Sequence, residues 1–101
     1  MSQTPLHYEL AWRPRAYGDL ASIFEYIGMG GGSAPVAHFK KTLYEKIALL
    51  KIYPEMGRQG RTAGTRELVV HPNYIVFYEV NNSLIEIMRI KHAAQQWPLP
   101  L

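Results

Sequence analysis

No cysteine occurs in the chain, so it has no disulfide framework, no thiol nucleophile and no thiolate zinc site. Aspartate is almost as scarce, with Asp19 the only one. A Ser-His-Asp triad would have to rest on that residue, and none of the serines lies in a nucleophile-elbow sequence. The four histidines, His7, His38, His71 and His92, show neither His-x-His nor His-x-x-x-His spacing, so neither a metal nor a cofactor is expected. No apolar run approaches membrane-spanning length, and the opening MSQTPLHYEL lacks the basic stretch and apolar core of a secretory signal. The expectation is a soluble cytoplasmic protein without a membrane partner.

What is present suffices for one folded domain over residues 1–101. Hydrophobic residues make up 48% and aromatic residues 12%, enough apolar side chain for a single core, while 19% charged residues is far from a disordered polyampholyte. Eleven basic against eight acidic residues give a net charge of +3, which favours acidic partners such as nucleic acid, an acidic peptide or ribosomal RNA. Arg58, Arg61 and Arg66 fall in a stretch without any acid, followed at once by Glu67. That stretch is a candidate basic patch, and the alternative is a solvated loop.

The hydrophobic period divides the chain. Tyr8, Leu10 and Trp12 alternate with Glu9 and Ala11, as a strand with one apolar face does. Pro14 suits the first turn of a helix, where its missing N–H costs nothing. Ala16, Leu20, Ile23, Phe24 and Ile27 then form one helical stripe, which Gly28 is expected to end. The run Gly30-Gly31-Gly32-Ser33 reads as a flexible connector, since no Lys-Ser/Thr pair follows to make it a phosphate loop. Pro35 restarts a helix after a cap from Ser33 or Ala34, with Val36, Phe39, Leu43, Ile47 and Leu50 on one face, until Pro54 and Gly57 stop it.

Beyond residue 64 the period becomes alternating. TRELVVH (65–71), YIVFYEV (74–80) and LIEIMRIK (84–91) are rich in β-branched and aromatic residues and are separated by His71-Pro72-Asn73 and Asn81-Asn82-Ser83, so they read as consecutive antiparallel strands. The segment from Tyr74 to Tyr78 is apolar on both faces, as a central strand is. The predicted architecture is α+β: a helical hairpin packed on one face of a four-stranded antiparallel sheet, in the order β-α-α-β-β-β. Pro98 and Pro100 prevent a long helix in the tail.

These features also carry a family resemblance. YPEMGRQGRTAGTRELVVHPNYIVFYEV (53–80) and IEIMRIKHAAQQWP (85–98) resemble the RelE/ParE toxins of type II toxin–antitoxin systems. The shared pattern is a helix ending in Tyr-Pro, a Gly-Arg loop, G-x-R-E-L, Y-x-V-x-Y, and a last strand closing near R-I-x-H before an aromatic residue and proline. WRPRAYGDLASIFEYI is similar to the family's first helix, more loosely.

The resemblance implies a growth-inhibiting toxin, neutralised by a cognate antitoxin in a hetero-oligomer and serving roles such as plasmid stabilisation. RelE-like members cut messenger RNA on the ribosome, whereas ParE-like members act on DNA gyrase with no established catalytic site. In the nuclease branch an arginine commonly follows the aromatic residue of the third-strand motif, where this chain has Ile75. A basic residue is expected near Ala93 or Ala94, and a tyrosine often stands where this chain has Trp97. The apolar third strand and the H-A-x-Q-x-W-P ending are closer to the ParE-like branch. A third possibility is a non-toxic homologue that only binds antitoxin.

RNA cleavage by 2′-hydroxyl attack needs a base, an acid and cations within a few ångströms of one phosphate. The candidates for that chemistry are Arg66, Arg89 and His92, with Lys91 and His71 as further donors. Against this, a histidine at a strand end is commonly a hydrogen-bonded structural residue, and Arg66 has a surface carboxylate as its alternative partner. Candidates for binding gyrase or antitoxin are Arg58, Arg61, Arg66, Arg89, His92, Gln96 and Trp97, arginine and tryptophan being enriched at interface hot spots.

Overall fold

The computed structural model describes residues 8–93. A short first strand, β1 (Glu9–Trp12), leads into two helices, α1 (Pro14–Gly31) and α2 (Ser33–Leu49), followed by β2 (Arg58–Gln59), β3 (Thr65–His71), β4 (Tyr74–Asn81) and β5 (Leu84–His92). The strands form one five-stranded mixed sheet in the order β1-β5-β4-β3-β2.

The expected four-stranded antiparallel sheet is thus corrected in two respects, and one cause accounts for both. The two legs of the helical hairpin return the chain to the end of the sheet where β1 finished. Had β3 followed directly, β5 would run against β1. The two-residue β2 inserts one more reversal, pairing antiparallel to β3 through Arg58 with Glu67 and Gln59 with Arg66. The direction of every later strand flips, and β1 pairs parallel to β5, Glu9 opposite Leu84 through Trp12 opposite Ile87.

The helix boundaries also shift. Helix α1 does not end at Gly28 but continues through Gly30 and Gly31, and its C-terminal cap is Gly32, whose N–H donates to the Gly28 carbonyl at 2.7 Å. Glycine permits a loop without enforcing one; within the run from Gly28 to Gly32 only Gly32, with φ at 78°, takes a backbone that other residues resist. The connector between the helices shrinks to that residue. Ser33 is the first residue of α2 rather than its side-chain cap, and α2 ends at Leu49, ahead of Pro54.

The inward stripes are those the periodicity indicates. Ala16, Leu20 and Ile23 of α1 and Phe39, Leu43 and Ile47 of α2 pack with Leu50 onto Leu68, Val70, Tyr74, Val76, Tyr78, Ile85, Ile87 and Ile90 of the sheet. β4 is the central strand, as expected. Its alternate residues Ile75 and Phe77 point away from the helices and are nonetheless buried.

Candidate functional site

The expected basic stretch is divided between the two faces of the sheet. Glu67 lies on the face away from the helices, opposite Arg58 on one side and Phe77 on the other. Its side chain is only 1% exposed. It accepts hydrogen bonds from Arg58 Nη2 at 3.0 Å and from the Arg61 N–H at 3.2 Å, and Arg61 Nε stands 3.8 Å away. A buried carboxylate needs such partners to keep its charge. Arg58 and Arg61 therefore share one acid, while their outer parts stay accessible to a partner.

Arg66 points the other way, because adjacent strand residues alternate. Among the described residues it pairs with no carboxylate: Nη1 donates to the carbonyls of Gly57 at 2.8 Å and Glu55 at 3.4 Å. Its cross-strand neighbour Tyr78 grips the same loop, accepting from the Gly57 N–H at 2.9 Å and donating to the Pro54 carbonyl at 2.8 Å. Burial raises the Tyr78 phenol above its ordinary pKa, outweighing the Gly57 N–H and the nearby Arg66 charge. Tyr78 and Arg66 thus pin residues 54–57 as the chain leaves α2 for the sheet.

Arg89 is held by Asp19 of α1, with Nε at 2.8 Å and Nη2 at 3.0 Å. The same carboxylate accepts the N–H of Ile90 at 3.0 Å. This N–H lies beyond the last residue of β5 that β1 reaches, so α1 supplies the acceptor that the short strand does not. Burial alone would raise the Asp19 pKa, but the hydrogen bonds from Arg89 and Ile90 and the Arg89 charge together hold it below the ordinary carboxylate value. Lys91 is lowered, first by burial and then by the charge of Arg89.

His92 ends β5 beside Tyr74, with ring centroids 5.2 Å apart. Both border a cavity of about 280 Å³ between α1 and β5, where Ser22, Tyr26 and Lys91 also line the wall. His71 flanks Tyr74 on the other side, at 5.8 Å.

Of the three candidate nuclease residues, Arg66 is held apart from His92. Arg66 stands opposite Tyr78 and His92 opposite Tyr74, four residues apart along β4, or roughly 13 Å at strand rise. Arg89 is turned to Asp19. Gln96 and Trp97 lie outside the described residues. Among the described residues no three His, Asp or Glu side chains converge as a metal site would require, and no helix is long and apolar enough to cross a membrane.

Two residues of this architecture were not singled out as site candidates in the sequence. Asp19 sits three positions after Ala16 and four before Ile23, on the buried edge of a helical stripe where a carboxylate implies a basic partner. Tyr78 reads as a core or stacking aromatic, and nothing in its own strand announces the loop it holds.

Comparison with known proteins agrees with the fold. Residues 10–97 match the sequence model of the ParE toxin of the type II toxin–antitoxin system parDE. The chain is 43% identical over 89 residues to toxin RelE2 of Caulobacter vibrioides, covering 86% of this chain and 97% of that protein. Among solved structures, the chromosomal ParDE system of P. aeruginosa superimposes with a TM-score of 0.75 at 22% identity, covering 84% of this chain and 95% of that one. The toxin–antitoxin complex DinJ–YafQ of E. coli superimposes at 0.58 with 16% identity, over 86% and 93% of the two chains. With a family match across nearly all of its length and a relative of this identity, the chain belongs to the ParE toxin family of type II toxin–antitoxin systems.

Proposed function

We propose that the protein arrests growth by binding DNA gyrase in the cytoplasm, as a ParE-like toxin, and that a cognate antitoxin neutralises it in a hetero-oligomeric complex. The observation that carries this reading is the separation of Arg66 from His92, together with the engagement of Arg66 and Arg89 by structural partners. Two of the three are committed to structural partners, Arg66 to the carbonyls of the 54–57 loop and Arg89 to Asp19, and His92 lies at the far end of the sheet from Arg66. Phosphoryl transfer draws its largest transition-state stabilisation from cations aimed at the phosphate, and an arginine committed to structural partners is not so aimed. Inhibition by binding needs only a surface, and the exposed arms of Arg58 and Arg61 with the segment from His92 through Gln96 and Trp97 supply residue types suited to one. The test is gyrase supercoiling and decatenation with the purified chain: inhibition is expected, and unimpaired gyrase activity at saturating toxin rejects the reading.

A second reading, a RelE-type ribosome-dependent endoribonuclease, is favoured by one feature: the cavity at the end of β5 gathers His92, Lys91, Tyr26 and Tyr74, side chains able to move protons or bind phosphate. Primer extension on messages in a translating extract addresses it. Codon-phased cleavage that vanishes in a His92→Ala protein would establish this reading in place of the first.

A further inference from the structure

His71 faces the helices, where regular strand alternation would turn it away from them. Val70 is buried in the core that the helices cover, and the residue after it on an unbroken strand belongs to the opposite face. The ladder to β4 is irregular at this point: Val69 stands opposite Ile75 and His71 opposite Tyr74, with Val70 passed over between them. This bulge swings the imidazole to the helix side, its centroid 5.8 Å from the rings of both Phe39 and Tyr74. What it delivers there is a half-buried ring with a hydrogen-bonding nitrogen, not an apolar filler. The Asn73 N–H donates to Nδ1 at 3.1 Å, which leaves Nε2 to carry the proton of the neutral ring.

His71, Val70 and Pro72 form one wall of a groove of about 460 Å³, and His38, Thr42 and Lys46 of α2 form the other. The three α2 residues are spaced by four, so they occupy successive turns of one helix side, about 6 Å from each to the next. The polar lining is thus two imidazoles, a hydroxyl and an ammonium, and among the described residues it includes no carboxylate. Lys46 Nζ is 3.4 Å from the Val69 carbonyl, a long contact from an exposed side chain that steadies the ammonium without neutralising it.

From this geometry we infer that the groove binds the phosphate monoester of a small ligand, with Lys46, Thr42 and His71 around the phosphate. A monoester offers three acceptor oxygens and up to two negative charges, which matches a wall that donates hydrogen bonds and supplies positive charge. The two oxygens of a carboxylate would engage only part of that set. The volume is that of a small-molecule site, and Val70 and Pro72 give the ligand an apolar surface to rest on. None of the residues proposed above to contact gyrase lines this groove, so the site stands or falls independently of the toxin's target.

The experiment is a heteronuclear NMR titration of the full chain, run in parallel with adenosine 5′-monophosphate, inorganic phosphate and adenosine. Saturable shifts centred on the amides of Thr42, Lys46 and His71 are expected with both phosphates and not with adenosine. Lys46→Met keeps the aliphatic stem and removes the charge, and it is expected to weaken nucleotide binding about tenfold, with about fivefold for His71→Leu and no change for Arg15→Met, a cation remote from the groove. Since His71 also receives the Asn73 N–H, Lys46→Met with a preserved unfolding midpoint is the deciding variant. Shifts that follow every basic residue without saturating, nucleotide binding unchanged in Lys46→Met, or equal shifts with adenosine each overturn the site. A glutamate-rich peptide that moves these amides when neither phosphate does assigns the groove to a protein partner and also overturns it.

Discussion

Asp19 of α1 grips Arg89 of β5 through two short hydrogen bonds and, with the same carboxylate, takes the backbone N–H of Ile90. One side chain thereby fastens the first helix to the last strand where β1 has run out. Both side chains are largely shielded, at 13% and 15% exposure. Removing one partner strands the other, so Asp19→Ala is expected to cost about 2–3 kcal/mol, a lower figure than for a fully buried pair. Urea unfolding measures it, and an unchanged midpoint contradicts the assigned role.

The same carboxylate gives a pH dependence with a definite sign. Its folded pKa is held below the unfolded value, so its contribution is complete above the unfolded pKa of about 3.9 and disappears as pH falls through the folded value. An Asp19→Asn protein cannot titrate at this position. The stability difference between parent and Asp19→Asn is expected to be constant from neutral pH down to about 4 and to narrow below it. A difference that persists unchanged into strong acid excludes the linkage.

Tyr78 and Gly57 form the second fastening. Tyr78→Phe leaves the buried Gly57 N–H without its acceptor and is expected to cost about 1–3 kcal/mol. At Gly57 a side chain has no room, since a Cβ would lie 2.8 Å from the Tyr78 ring and 2.9 Å from the Glu67 carbonyl. Gly57→Ala is expected to be at least as damaging as Tyr78→Phe, because backbone must move to admit the methyl group. Thermal unfolding of the two variants ranks them.

Leu43 is fully buried between α2 and the sheet. Leu43→Ala should destabilise by about 2–5 kcal/mol. Tyr44, one position on and 42% exposed, provides the control: Tyr44→Ala removes a side chain with an edge contact to Trp12 and is expected to shift the unfolding midpoint far less.

Ending the chain after His92 keeps every strand of the sheet but removes Gln96 and Trp97. Growth arrest is expected to be lost while circular dichroism retains the helical and strand signal. Full toxicity of the shortened chain would discard the tail as a target contact.

The helices were legible in the sequence because their buried stripes are long and regular, and the inward residues Leu20, Leu43 and Ile47 follow from spacing alone. The strands 65–71, 74–80 and 84–91 were legible for the same reason at period two. β2 was not: two residues carry no alternation, and Arg58 and Gln59 have no apolar face to reveal. That omission propagated into the strand count and the direction of β1. At the candidate site, the clustering of arginines was visible, but not that Glu67 would lie buried among them or that Arg66 would turn to backbone carbonyls. Those outcomes depend on which face each residue takes once β2 is in place.

The parallel pairing of β1 with β5 has a bearing on how the chain is made. Glu9–Trp12 is synthesised before every other strand of this sheet, yet its backbone partners, residues 84–87, belong to the sheet's final strand. The β3–β4–β5 meander closes through short turns, whereas β1 must wait for a contact that spans about three-quarters of the chain. The oldest strand is therefore the last to be paired, and a chain arrested in translation before β5 carries an unpaired β1 and an α1 whose Asp19 has nothing to hold.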